Sequence, residues 1–256
     1  MDDFRLNELP LSEQAKVQIH KYISHMDLQR SNKLPREETL AEMIGVSRIT
    51  IRAALNDLAS EGLIFRRQGK GTFVNVDSLN IKVKFNPAME FTQMIDASGY
   101  QPSVKLLNIE MVPWDKHIGE LLQTEPEEKL VLTEKFFLAN EKICAYCRDY
   151  FTPSLIGGVG AFEQFSQYEN SVFEYIHSLS GAKIEWDKVE IDTALSTEIP
   201  DLEKYADMKA VGMKPFLLLR GVNYDSDDKP LVYAEEYIDT DLIKFSMIRQ
   251  RMIHYH

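Results

Sequence analysis

Arg48, Thr50 and Arg52 fall within five residues, and on a helix the two arginines stand one turn apart. They lie beside the apolar series Ile51, Ala54, Leu55 and Leu58, not within it, so they face away from a core. Guanidinium groups one turn apart on an exposed helical face can hydrogen-bond the edges of bases in a DNA major groove. Ser47 precedes them as an expected helix N-cap. A second cationic cluster follows at Arg66-Arg67-Gln68-Gly69-Lys70-Gly71, where two glycines permit a tight turn with Lys70 at its tip. A lysine presented in this way suits a phosphate or the edge of a minor groove. Either cluster alone has a bland explanation as solvated charge. Their order and spacing together favour DNA.

The elements that must position these groups are short. Leu40, Ala41 and Ile44 give Glu37–Ile44 one narrow apolar face, and Gly45 stands where a left-handed residue ends a helix. A second helix is expected over Arg48–Ser60, stopped by Gly62. Leu63–Arg67 and Thr72–Val76 read as two strands of a hairpin. Helix, glycine turn, helix and basic hairpin form a winged helix-turn-helix, whose second helix enters the major groove. Ahead of it, Ser12 is expected to cap a helix over Glu13–Leu28 carrying Ala15, Ile19, Tyr22, Ile23 and Met26, while residues 1–10 form a loose arm.

The stretch resembles the winged-helix domain of the GntR family of bacterial transcription regulators. The matching residues are Leu34-Pro35, Leu40-Ala41, Gly45-Val46-Ser47-Arg48, Thr50-Ile51-Arg52, Ala54-Leu55, Leu58, Glu61-Gly62-Leu63 and Gly69-Lys70-Gly71-Thr72-Phe73-Val74. The pattern departs once: Glu38 stands where the family carries a DNA-contacting arginine, and Arg36 lies two residues before it. Arg36, Ser47, Arg48, Thr50, Arg52, Arg67, Gly69 and Lys70 are the expected DNA-binding residues.

The chain of 256 residues carries a formal charge of −11, which by itself opposes binding to DNA. Residues 1–76, however, hold 11 Lys/Arg against 10 Asp/Glu, whereas the remaining 180 hold 18 against 30. The acidity belongs to the second half and leaves the DNA-facing surface free to be locally basic. No secretory signal is apparent, and no stretch reaches the about 20 apolar residues needed to span a bilayer. Two cysteines exclude a disulfide scaffold, so the cytoplasm is the expected compartment.

After residue 76 a polar linker is expected over 77–84. Beyond it, strands are expected at Ile81–Phe85, Val104–Val112, Leu130–Leu138, Lys142–Phe151, Lys183–Ala194, Phe216–Tyr224 and Pro230–Asp239. Helices are expected at Pro87–Ser98, Lys116–Leu122, Ser171–Ser180 and Ile199–Tyr205. Strands joined by short turns with helices between them argue for an α+β domain on an antiparallel sheet over residues 85–250. This half resembles the UTRA domain of the HutC branch of GntR regulators. The resemblance rests on Ser98-Gly99-Tyr100-Gln101-Pro102, Ala139-Asn140, Arg148-Asp149-Tyr150, Ser171-Val172-Phe173-Glu174-Tyr175 and Lys229-Pro230 before Tyr233. It implies a chorismate-lyase-like fold, an effector pocket at the sheet and the main dimer interface.

Phosphosugar-sensing relatives carry an arginine pair where this chain has Lys135 and Phe137, and a glutamate where it has Cys147. On the last strand another glutamate and a tyrosine are replaced by Val232 and Ile238. Residues two apart on a strand share a face, so these changes make one coherent, more apolar surface. Lys135 keeps one cation there, and Ser171 begins a helix whose N–H groups favour an anion. The expected effector-binding residues are therefore Lys135, Phe137, Cys147, Ser171, Val232 and Ile238, and the expected ligand is a small anion with a substantial apolar part.

Cys144-Ala145-Tyr146-Cys147 has the spacing of redox and zinc sites, but residues three apart on a strand face opposite ways. Asp225–Asp228 lacks the glycine and distal glutamate of a calcium loop and reads as a solvated turn. His254 and His256 fall in a terminal tail. No catalytic set, metal site or cofactor is expected. The sequence thus describes a dimeric, effector-controlled regulator of transcription that binds operator DNA and no membrane. An enzyme built on the lyase-like domain, or a DNA binder without a ligand, are the alternatives.

Overall fold

The computed structural model describes residues 10–79, 81–85, 88–162, 171–200 and 212–247. The arm at 1–9, Pro87, the greater part of the helix expected at Ile199–Tyr205, and the tail with His254 and His256 lie outside these residues. The chain separates into two compact units, one of residues up to Met89 together with Phe245 onward, the other Glu90–Lys244.

In the first unit, helix α1 spans Leu11–Ser24, α2 Glu37–Ile44 and α3 Arg48–Ser60. Helix α1 starts earlier than Ser12 would cap it: Pro10 takes the N-cap position, with no side-chain capping bond. The α2–α3 turn forms as the residues dictate. Gly45 adopts φ +81°, and the Ser47 hydroxyl accepts the Thr50 N–H at 3.1 Å. Ile19, Ile23, Leu40, Ile51, Leu55 and Leu58 are all but completely buried where the three helices meet. Each contributes roughly 1.5–3 kcal/mol by leaving water. Strands β1 (Ile64–Arg67) and β2 (Gly71–Val74) pair antiparallel as the wing, with Gly69 at φ +70° and Gly71 at φ +114° in its turn.

The described parts of the expected linker include a helix and a strand. Helix α4 (Val76–Leu79) occupies its start, because Asn75 donates to Gly62 O and Ser78 to Asn75 O, which satisfies groups that read as hinge polarity. Strand β3 (Val83–Lys84) then pairs parallel with β10 (Phe245–Ser246), and Phe85 stacks on Phe245 at 4.5 Å.

In the second unit the sheet strands are β4 (Pro102–Val112), β5 (Leu130–Ala139), β6 (Lys142–Phe151), β7 (Trp186–Leu195), β8 (Pro215–Tyr224) and β9 (Pro230–Ile238). They lie in the order β4-β5-β6-β9-β8-β7, every pair antiparallel. Among the described residues the unit also holds helices α5 (Phe91–Ala97), α6 (Lys116–Leu121) and α7 (Val172–Ser180). Asn140 and Glu141 both take positive φ in the β5–β6 turn, and the Asn140 side chain accepts the Gln101 N–H at 2.7 Å. Asp225 Oδ1 accepts the N–H groups of Asp227 and Lys229 at 2.9 Å each, so the acidic run closes the β8–β9 turn. No helix among the described residues is long and apolar enough to cross a membrane.

Candidate functional site

The head of α2, the head of α3 and the wing enclose a cleft of about 470 Å³. Lys33, Arg36, Arg48, Arg66, Arg67 and Lys70 line it, against Glu37 and Glu38. Arg48 and Arg66 in the cleft, and Arg52 beside it, are held by acidic or amide partners. Arg52 Nε and Nη2 donate to Glu37 Oε2 at 3.2 and 2.9 Å, and Arg48 Nη2 pairs with Glu38 Oε1 at 2.8 Å. Arg66 donates to Asn56 at 2.8 Å, and its other nitrogen lies 3.7 Å from Glu37, tying the wing to both helices. The hydrogen bond from Arg52 is the main cause that holds the Glu37 carboxyl below its ordinary range. Half-exposed pairs of this kind add little stability, but they orient planar guanidiniums that keep further N–H groups for another acceptor. Arg67 lies over the stacked rings of Phe65 and Phe73, at 5.0 and 5.2 Å from their centroids.

Of the residues expected to meet DNA, Arg36, Arg48, Arg67, Gly69 and Lys70 line this one cleft. Ser47 is committed to capping α3, and its hydroxyl also lies 2.8 Å from that of Thr50. Glu38, the departure from the family pattern, holds Arg48. Ile49 was absent from the expected set: it is 81% exposed between Arg48 and Thr50, so an apolar side chain stands on the open face of α3. Its signal in the sequence was an isoleucine off the α3 apolar stripe.

A second cavity, of about 580 Å³, lies in the other unit. Its floor is Val104 of β4, Lys135 and Phe137 of β5, Cys147 and Asp149 of β6, and Glu236 of β9; Glu90–Gln93 and Ser171–Glu174, at the starts of α5 and α7, cover it. Strand register assembles the floor, since Lys135 pairs with Cys147 and Cys147 with Glu236 in one cross-strand row. Phe91 stacks on Phe137 at 4.7 Å. Thr133 donates to Asp149 at 3.2 Å. Lys135 is 4% exposed, and burial pulls its ammonium below the ordinary lysine value even with Asp149 nearby. Burial likewise raises the Asp149 and Glu90 carboxyls, and pushes Glu236 up to about 8 with added repulsion from Asp149.

Lys135, Phe137, Cys147 and Ser171 all line this cavity, but Val232 and Ile238 do not. Both share its sheet face and are fully buried; Val232 packs with Val131, Phe151, Leu155 and Ile176, and Ile238 pairs with Ala145 and Leu217. Between them on the same face stands Glu236, and that position fronts the cavity. The cavity surface is more acidic than the expected one: four carboxyl groups (Glu90, Asp149, Glu174 and Glu236) line it with the Lys135 ammonium. Glu236 and Asp149 were legible as charged residues of one strand parity, but the register that sets them beside Lys135 was not. Ser171 occupies the N-cap position of α7 without a side-chain capping bond. Cys144 faces the other way from Cys147, its thiol donating to Phe137 O at 3.1 Å, and burial raises both thiols, Cys144 to about 12.

Residues 11–74 match the profile of bacterial regulatory proteins of the gntR family, and residues 97–244 match the UTRA domain. The chain is 24% identical over 252 residues to the HTH-type transcriptional repressor NagR of Bacillus subtilis, covering 95% of this chain and 96% of that one. It is 24% identical over 242 residues to the mannosyl-D-glycerate transport/metabolism system repressor MngR of Escherichia coli, covering 94% and 97%. The solved structure of YydK from Bacillus subtilis shares the fold, with a TM-score of 0.68 at 19% identity over 94% of this chain and all of that one. Winged helix, effector-type domain and full-length relatives agree, and the chain belongs to the gntR family of bacterial transcription regulators, in the branch that carries a UTRA domain.

Proposed function

We propose that this protein binds two-fold operator DNA as a homodimer in the cytoplasm, represses transcription there, and releases the operator when a small molecule fills the cavity of the second unit. The observation that carries the reading is the cleft beside α3: six cations gather there against two carboxylates, on a chain whose net charge is −11. Arg48, Thr50 and Arg52 are assigned to the major groove, with Arg36 beside them, and Arg67, Gly69 and Lys70 to the backbone or minor groove at the wing. Ser47 serves them by fixing the start of α3. One winged helix covers a half-site, so a palindromic operator calls for two copies. Strand β7 offers an edge for pairing them: Trp186, Val189, Ile191 and Leu195 are all exposed on it. The effector acts by binding more tightly to the state that holds operator less well.

Titration of Arg52→Ala and Lys70→Ala against operator and scrambled DNA tests the assignment. Arg52→Ala should lose ~1–3 kcal/mol of specific binding. Lys70→Ala should weaken both DNAs alike and lower the salt slope by about one. Unchanged affinity in both variants would remove these residues from the interface.

A further inference from the structure

The cavity between α5, α7 and the sheet has a charge that neither its size nor its aromatic wall requires. Its floor and cover bring four carboxyl groups from four elements around one lysine: Glu90 at the head of α5, Asp149 on β6, Glu174 on α7 and Glu236 on β9. Asp149 is the neighbouring charge that steadies Lys135, and Thr133 supplies it a hydrogen bond. Glu236 has Asp149, Glu90 and Asp187 as negative neighbours, and Glu90 has Glu174 and Asp149. Carboxyl groups gathered in a poorly solvated space repel one another and are driven to hold protons. A cation placed among them relieves that repulsion, whereas an anion adds to it. The same space is walled by Phe91, Phe137 and Phe173, whose faces accept an apolar or ring body and favour a cation near them.

We propose that the cavity takes a ligand bearing a protonated amine or amidine, seated against Glu236, Asp149 and Glu90, with its ring or apolar body against the three phenylalanines. The inference rests on the reading of this cavity as the effector site and specifies the charge of its occupant. The arriving cation lowers the proton affinity of Glu236, so the carboxylic acid becomes a carboxylate and its proton passes to the buffer. The groups facing Glu236 that share in this exchange are Lys135, Cys147 and Asp149 across the sheet, Glu90 and Glu174 from the covering helices, and Asp187 of β7.

The test uses the full chain and two series of probes of similar size that carry positive, no or negative charge: benzylamine, benzyl alcohol and benzoate, then glucosamine, glucose and glucuronate. Thermal shift and calorimetry at neutral pH rank each series. In at least one of them the amine should bind best, with proton release seen as a dependence of the heat on buffer. Glu236→Gln should abolish the release and weaken the amine at least tenfold. Glu174→Gln, at the exposed rim, should weaken it severalfold and keeps the test open if the first variant folds poorly. Preference for the acid, or equal binding of amine, alcohol and acid, overturns the cationic ligand and leaves the effector site standing. Absence of binding by all six probes overturns both.

Discussion

Replacing Glu236 with glutamine should stabilise the free protein, by an amount that grows with pH. In the folded chain this carboxyl keeps its proton to about 8, against an ordinary value of 4.5. Across that window the folded state binds more protons than the unfolded one, so stability falls as pH rises and levels off above the folded value. The slope from one such group approaches 1.4 kcal/mol per pH unit, roughly the free energy of one pKa unit. Accumulated to pH 7, the cost of retaining the acid is on the order of 3 kcal/mol. Glutamine fills the same space and does not titrate, so its advantage over wild type should widen by about 2 kcal/mol between pH 6 and 8. Asp149, Glu90 and Asp187 are also raised by burial and repel Glu236, so the difference between the two curves belongs to Glu236 together with its coupling to them. Urea unfolding of both proteins at several pH values, followed by a probe in the second unit, gives the comparison. A difference that stays flat with pH would show that Glu236 is ionised in the fold and would refute the reasoning. Cavities that hold ligands commonly sacrifice stability in this way.

Three further outcomes are expected. Ile49→Ala should reduce discrimination at one operator position: if Ile49 contacts a thymine methyl, replacing thymines by uracil weakens wild type at that position and leaves the variant unaffected in anisotropy titrations. Gly45→Ala should cost about 1 kcal/mol in the melting of the winged helix, because φ +81° strains any side chain although nothing lies within 4 Å of its Cβ; a loss of several kcal/mol would point to packing instead. The fragment 90–244, a compact unit with its own cores, should sediment as a dimer at micromolar concentration, and charged replacements at Val189 and Ile191 should make it monomeric; a clean monomer from the unaltered fragment moves the interface elsewhere.

The sequence by itself determined the winged helix. Periodicity placed α2 and α3 along the chain, Gly45 and Ser47 marked the turn between them, and Gly69 and Gly71 marked the tip of the wing. These are local decisions, made by propensity, capping and left-handed backbone within a few residues of each other, so they can be read along the chain. The strands of the second unit were legible for the same reason, as was the parity that puts Lys135 and Phe137 on one face. Only the tertiary structure decided which residues of that face meet the cavity. Alternation tells two sides of a strand apart but not the register across strands, and register set Glu236 opposite Cys147 while carrying Val232 and Ile238 into the core. Packing of α5 and α7 then brought Glu90 and Glu174 over Asp149 and Glu236, from positions far apart in the chain. The charge of the cavity is therefore a long-range property: each carboxyl is visible in the sequence, but their mutual repulsion exists only once the sheet and its covering helices hold them together.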